Sequence, residues 1–204
     1  MHLAETKLFL SIAGRSFNSL RKATDGSALV EFAVCLPLLV VFIVGIFDFS
    51  AAFNQRQKLA QAAQEGAIVA GAQPTSDIYS GNANPDSLQP VVAAAFNSLA
   101  AAGVLPLANQ GSCKLPPAAP SYLGTGLSWT YTFTGCSNFS GDQLSITVNR
   151  GATVSSTQTA VCSIVSVNYP YHWRFNSVIQ LVIPGVTYAA ITNLQESATV
   201  HNQS

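Results

Sequence analysis

The sequence predicts an α+β fold: a long N-terminal helix, transmembrane at first and amphipathic afterwards, packed on a small antiparallel sheet. Three observations predict it. From Phe32 to Phe47 no charged or strongly polar side chain appears, and twelve of those sixteen residues are Leu, Ile, Val or Phe. Ala51–Ala72 then has no proline and repeats small apolar residues at helical spacing. From Leu127 onward the texture changes to β-branched and aromatic residues in alternation with polar ones.

Residues 1–26 form a basic leader, with Lys7, Arg15, Arg21 and Lys22 against Glu5 and Asp25. Positive charge beside an apolar run places the N-terminus in the cytoplasm, although Arg56 and Lys58 beyond the run keep the bias small. Residues 27–49 are the spanning helix. At about −0.3 to −0.6 kcal/mol for each large apolar residue, the run contributes roughly −4 to −7 kcal/mol toward insertion. With Ala28 to Val30 and Phe49 it reaches about 20 residues, or 30 Å, one bilayer core. An ordinary secretory signal cut after Ser50-Ala51-Ala52 fits less well, because the apolar run exceeds the usual h-region and helical residues continue through the cut. Pro37 lies mid-span, where it kinks a membrane helix without ending it. Cys35 is a small apolar filler.

Residues 50–73 continue the span as an amphipathic helix. Leu59, Ala62, Ala63, Gly66, Val69 and Ala70 make its apolar face; Gln55, Lys58, Gln61 and Gln64 mark another. Gly71 followed by Pro74 predicts the stop. Residues 74–126 are loop-rich, with one short helix over Pro90–Ala102 whose apolar face is Val91, Val92, Ala95, Phe96 and Leu99. Pro90 sits in its first turn and Gly103 closes it.

Residues 127–204 are an antiparallel β-rich outer domain. Strands are predicted at Leu127–Thr134, Gln143–Asn149 and Val161–Tyr169, with a last one at Val186–Ile191 or extending to Val200. Turns are predicted at Gly135, Gly141 and Gly151. Trp173–Ile183 is ambiguous between a helix and an irregular crossover, and His201 falls in a tail expected to fray. Short connections imply a meander with one covered face, and the amphipathic helix is the natural cover.

Two carboxylates border the span. Asp48 lies near its far end, among headgroups. Glu31 sits ahead of the apolar run, where a carboxylate is a functional-site hypothesis by default; the plainer reading is that it marks the cytoplasmic interface. Gly26 precedes Glu31 by five residues. Cutting between Gly26 and Ser27 would make Ser27 a new N-terminus, whose amine would attract the Glu31 carboxylate within or between subunits. A glycine before the cut lets a protease approach the backbone closely.

The run Gly26-Ser-Ala-Leu-Val-Glu31-Phe32-Ala-Val-Cys-Leu-Pro37-Leu-Leu, with Gly45, Asp48-Phe49 and later Ala63-Gln-Glu65-Gly66-Ala67, resembles the TadE/TadG-like family. Those are pseudopilin-like components of Tad (Flp) type IV pilus assembly. The likeness covers roughly residues 24–72. Gln64 and Ile68 stand where the family usually carries Arg, which leaves the subfamily open. The resemblance implies a pilin-like arrangement of helix on sheet. It also implies a prepilin peptidase acting at Gly26–Ser27, and Glu31 serving processing and assembly. The partners it implies are a pilus assembly platform and other pilins or pseudopilins. A bacterial inner-membrane location follows, with the C-terminal domain periplasmic; whether that domain enters a pilus stays open.

Cys113, Cys136 and Cys162 fall in the outer part, where an oxidising compartment would pair two. Cys113 and Cys136 lie in loop-like, glycine-flanked sequence and are the first choice, closing a loop of about 22 residues worth roughly 3 kcal/mol. Cys162, in a strand pattern, either stays a buried thiol or displaces one of them.

Chemistry is poorly represented. With nine basic and nine acidic side chains the chain has no electrostatic footprint for nucleic acid. There is no CxxC spacing for zinc or redox work, no nucleophile elbow and no phosphate-binding glycine loop. His172, in Tyr169-Pro-Tyr-His-Trp-Arg174, is read as a packing or hydrogen-bonding histidine. Its aromatic neighbours, with Arg174 and Phe175, are a contact patch or core. No catalytic residue, metal, cofactor or small-molecule substrate is expected. The alternative function is a membrane-anchored periplasmic binding or interaction domain, not processed at Gly26.

Overall fold

The computed structural model describes residues 25–79, 81–122, 126–153, 161–173 and 191–203. The leader before residue 25 and the ambiguous segment beyond Trp173 lie outside them, as do Arg174, Phe175 and residues 186–190. Helix α1, Asp25–Ala72, is 48 residues long with Pro37 inside it, and so extends about 72 Å. The span and the amphipathic helix are therefore one continuous element. A 3₁₀ turn, Asp86–Leu88, leads into helix α2, Gln89–Ala101. Five strands follow: β1 Ser121–Tyr122, β2 Ser128–Thr134, β3 Gln143–Thr153, β4 Val161–His172 and β5 Ile191–His201. They form one antiparallel sheet in the order β1-β2-β3-β4-β5, which makes the architecture α+β.

Alternation in β2 and β3 produces the inner face directly. Trp129 opposes Val148, Tyr131 opposes Ile146 and Phe133 opposes Leu144, all of them buried. On the outer face the Thr130 and Thr147 hydroxyls meet at 2.9 Å. The apolar faces of α1 (Leu59, Ala62, Ala63, Ala67, Ala70) and α2 (Val91, Val92, Ala95, Phe96, Leu99) close the core over these strands. Helix α2 starts with a proline in its first turn and ends in a Schellman arrangement. Gly103 N–H donates to Ala100 O at 3.1 Å, Val104 N–H donates to Leu99 O at 3.0 Å, and Gly103 has φ +70°.

Two glycines of α1 set how closely the layers approach. A Cβ on Gly66 would lie 3.1 Å from Val165 Cγ1 and 3.3 Å from Ala95 Cβ, so Gly66 marks the crossing of α1 with β4 and α2. A Cβ on Gly71 would lie 3.0 Å from Val200 Cγ1 and 3.1 Å from His201 O. The helix ends at Ala72, within the expected Gly71-to-Pro74 stop, and Gly71 also lets β5 pack closely.

Two expectations are corrected. Gly151 is not a turn: β3 runs on to Thr153, and its register with β4 shifts between Asn149 and Ala152. A Cβ on Gly151 would lie 3.1 Å from Leu127 Cδ1, so close packing and a bulge account for this glycine. His201 does not fray, because it pairs with Cys162 at the end of β5. The last strand takes the longer of the two expected forms, running from Ile191 past Val200 to His201, while residues 186–190 lie outside the described residues.

Candidate membrane anchor and processing site

The first half of α1 is apolar all round and is left uncovered by the fold. Leu29, Phe32, Leu38, Phe42, Ile46 and Phe47 are all exposed, and the helix is long and apolar enough to cross a membrane. In water such a surface would be unstable; in hydrocarbon its backbone is satisfied internally and its side chains match the solvent. Cys35 is exposed on this segment.

Gly26 and Ser27 lie within α1. Glu31 is exposed one turn further along. Ser27 and Glu31 are four residues apart in the same helix, about 6 Å along its axis.

At the other end of the apolar half the outer domain takes hold of the helix. The Tyr171 hydroxyl, at the end of β4, lies 2.7 Å from Asp48 Oδ1 and 3.1 Å from the Asp48 carbonyl oxygen. Asp48 is buried in this contact, which the sequence placed only among headgroups. Phe49 meets Trp173 edge-on with ring centroids 5.2 Å apart, and Trp173 in turn meets Tyr171 at 5.0 Å.

The distal end of α1 is held by a residue that sequence reasoning passed over. Arg150 is buried, continuing the inward alternation Leu144, Ile146, Val148 along β3. Its guanidinium donates to the carbonyls of Ala70 and, at 2.9 Å, Gln73, and to the Ser163 hydroxyl at 3.1 Å. The last turn of α1 has no basic residue of its own, so Arg150 supplies both the donors and the positive charge that a helix C-terminus favours. Burial pulls the Arg150 pKa down, with the Asp77 carboxylate opposing. Asp77 itself is held below its usual range: burial pushes it up, but hydrogen bonds from Ser87 and the charge of Arg150 more than offset this. The buried Tyr131 hydroxyl is pushed up to about 12 by burial, with Asp77 and Asp86 adding to it.

Cys113 and Cys136 are joined in a disulfide, tying the loop before β1 to the turn after β2. Cys162 is a thiol with its sulfur 3.3 Å from His201 Nδ1. His172 hydrogen-bonds the Asp142 carboxylate at 2.9 Å and stacks on Phe139. Its acid partner, 30 residues away, could not be read from spacing. Tyr169 and Tyr171 of the aromatic cluster are buried, so these two belong to the packed layer. Among the described residues no group of three or more His, Cys, Asp or Glu is placed to hold a metal ion.

The geometry thus isolates one unit: an uncovered apolar helix preceded by a glycine and a glutamate. Residues 26–67 match the TadE-like protein family. The TadE-like segment begins on Gly26 itself and ends on Ala67, so it lies wholly within α1 and takes in Glu31, Pro37, Asp48 and Glu65-Gly66-Ala67. No curated protein and no solved structure matches the chain.

Proposed function

We propose that this chain is a single-pass membrane, pseudopilin-like component of a Tad-type pilus or secretion apparatus, without enzymatic activity of its own. In this reading a prepilin peptidase cuts between Gly26 and Ser27, and Glu31 pairs with the new amine as the subunit joins others. The N-terminus faces the cytoplasm and the disulfide-bonded domain lies outside the bacterial inner membrane. A pilus assembly platform and other pilins or pseudopilins are its partners. The observation that carries the proposal is the coincidence of the TadE-like match, starting at Gly26, with the uncovered apolar half of α1.

A second reading, a membrane-anchored interaction domain not processed at Gly26, draws support from the sheet and α2 lying beyond the matched residues. Glu31→Ala separates the two. On the first reading, co-purification with other pilins and fibre output both fall steeply while the chain stays in the membrane. On the second, both are unchanged.

A further inference from the structure

The geometry points to a membrane-resting rim on the outer domain: Trp173, Phe139 and Ile191, at one end of the sheet, sit in the lipid headgroup layer beside the point where α1 leaves the bilayer. The inference rests on the membrane-anchor reading and adds to it the orientation and depth of the sheet.

The two ends of the sheet are distinguished by their contacts with α1. Tyr171 on β4 touches Asp48, and Gly66 approaches Val165 further back along β4. Gly71 approaches Val200 at the end of β5, and Arg150 caps the helix terminus there. Strand β4 therefore runs against α1. Its C-terminal end lies level with the last residues of the apolar run, and the Arg150 end points away from the membrane. Among the described residues, apolar side chains collect at the near end beside the polar His172, Asp142 and Asn193. Ile191 pairs with His172 across β4 and β5, Phe139 stacks on His172 from the β2–β3 turn, and Trp173 is the next residue along. Outside α1, the described residues include three large apolar side chains that are exposed, namely Tyr79, Phe139 and Ile191. Two of them are here, at 54% and 51% exposure.

A tryptophan fixed within ring contact of Phe49, at the boundary of a 20-residue span, stands at the depth where indole rings gather in membrane proteins. The apolar rings would lose water to the acyl boundary while the backbone ends of β4 and β5 remain hydrated. Both carboxylates near the rim are engaged, Asp142 with His172 and Asp48 with the Tyr171 hydroxyl. A bilayer is the occupant because α1 fixes its surface at this level.

The test uses the full chain in phosphatidylcholine vesicles. Trp129 is fully buried, so the difference in emission between the unmodified chain and W173F isolates Trp173 without changing the core. Lipids brominated near the headgroup end of the acyl chain should lower that emission by roughly twofold, as for an interfacial ring, with little effect of aqueous iodide. F139W in the W173F chain should behave alike. Free quenching of either ring by iodide, with none from brominated lipid, overturns the rim. Cys35 reports on the anchor separately, with C35S as blank. If Cys35 resists a membrane-impermeant maleimide while Trp173 meets iodide, the rim alone fails; if Cys35 reacts, the anchor reading fails with it.

Discussion

The Tyr171 hydroxyl lies 2.7 Å from the Asp48 carboxylate, joining the end of a sheet strand to the first charged residue beyond the apolar run of α1. These residues are 123 apart in the chain, and the bond fixes where the outer domain sits along α1. A hydrogen bond to a charged acceptor contributes about 1.5–3 kcal/mol. Tyr171→Phe should therefore lower the unfolding free energy of the detergent-solubilised chain by about that much. A double-mutant cycle with Asp48→Asn should return a coupling above about 0.5 kcal/mol. Additive losses would show that the contact carries no energy.

Arg150 makes a stronger prediction. Removing a buried guanidinium that satisfies several carbonyls leaves them without donors, at about 1–3 kcal/mol for each buried acceptor. Arg150→Met fills similar volume but donates nothing, so it should destabilise the outer domain on that scale by urea unfolding. Arg150→Lys, whose single ammonium cannot fork between Ala70 and Gln73, should recover only part of the loss. Equal stability of Met and Arg chains would refute the cap.

Alkaline pH probes the same buried layer. Tyr131 has its pKa raised from 10.0 to about 12, first by burial and then by the Asp77 and Asp86 charges. A raised folded pKa means the folded state holds the proton more tightly. Its contribution to stability is then full below the unfolded pKa near 10 and is lost as pH rises through about 12. Unfolding free energy should decline across that window, and the near-ultraviolet tyrosinate signal of Tyr131 should lag behind that of exposed tyrosines. Tyr131→Phe should flatten the decline.

Much of this fold is legible in the sequence because its signals are local. The apolar run, the alanine face of α1, the Pro90 and Gly103 brackets of α2 and the alternation of Trp129, Tyr131 and Phe133 each express a backbone period or a cap. Cysteines flanked by loop residues expose the Cys113–Cys136 pair in the same way. What could not be read depends on distant partners. Arg150 looks like a charged residue leading into a turn, and Gly151 like the turn itself, because nothing nearby reveals that α1 ends overhead with open carbonyls. Gly71 marks the helix stop, but nothing local shows that Val200 packs on it. His172 and Asp142, and Asp48 and Tyr171, meet only once the sheet is assembled. Of the candidate site, the spacing of Gly26 and Glu31 is legible, since it is a property of one helix; how the outer domain grips that helix is not.

The central claim is that Gly26 precedes a cut and Glu31 awaits the amine it frees. The most direct measurement is the intact mass of the chain recovered from membranes after co-expression with a prepilin peptidase, beside a Gly26→Ala control. The account predicts a product beginning at Ser27 from the unmodified chain and a full-length product from the control. An unshifted mass, identical to that of the Gly26→Ala chain and still beginning at Met1, would contradict it.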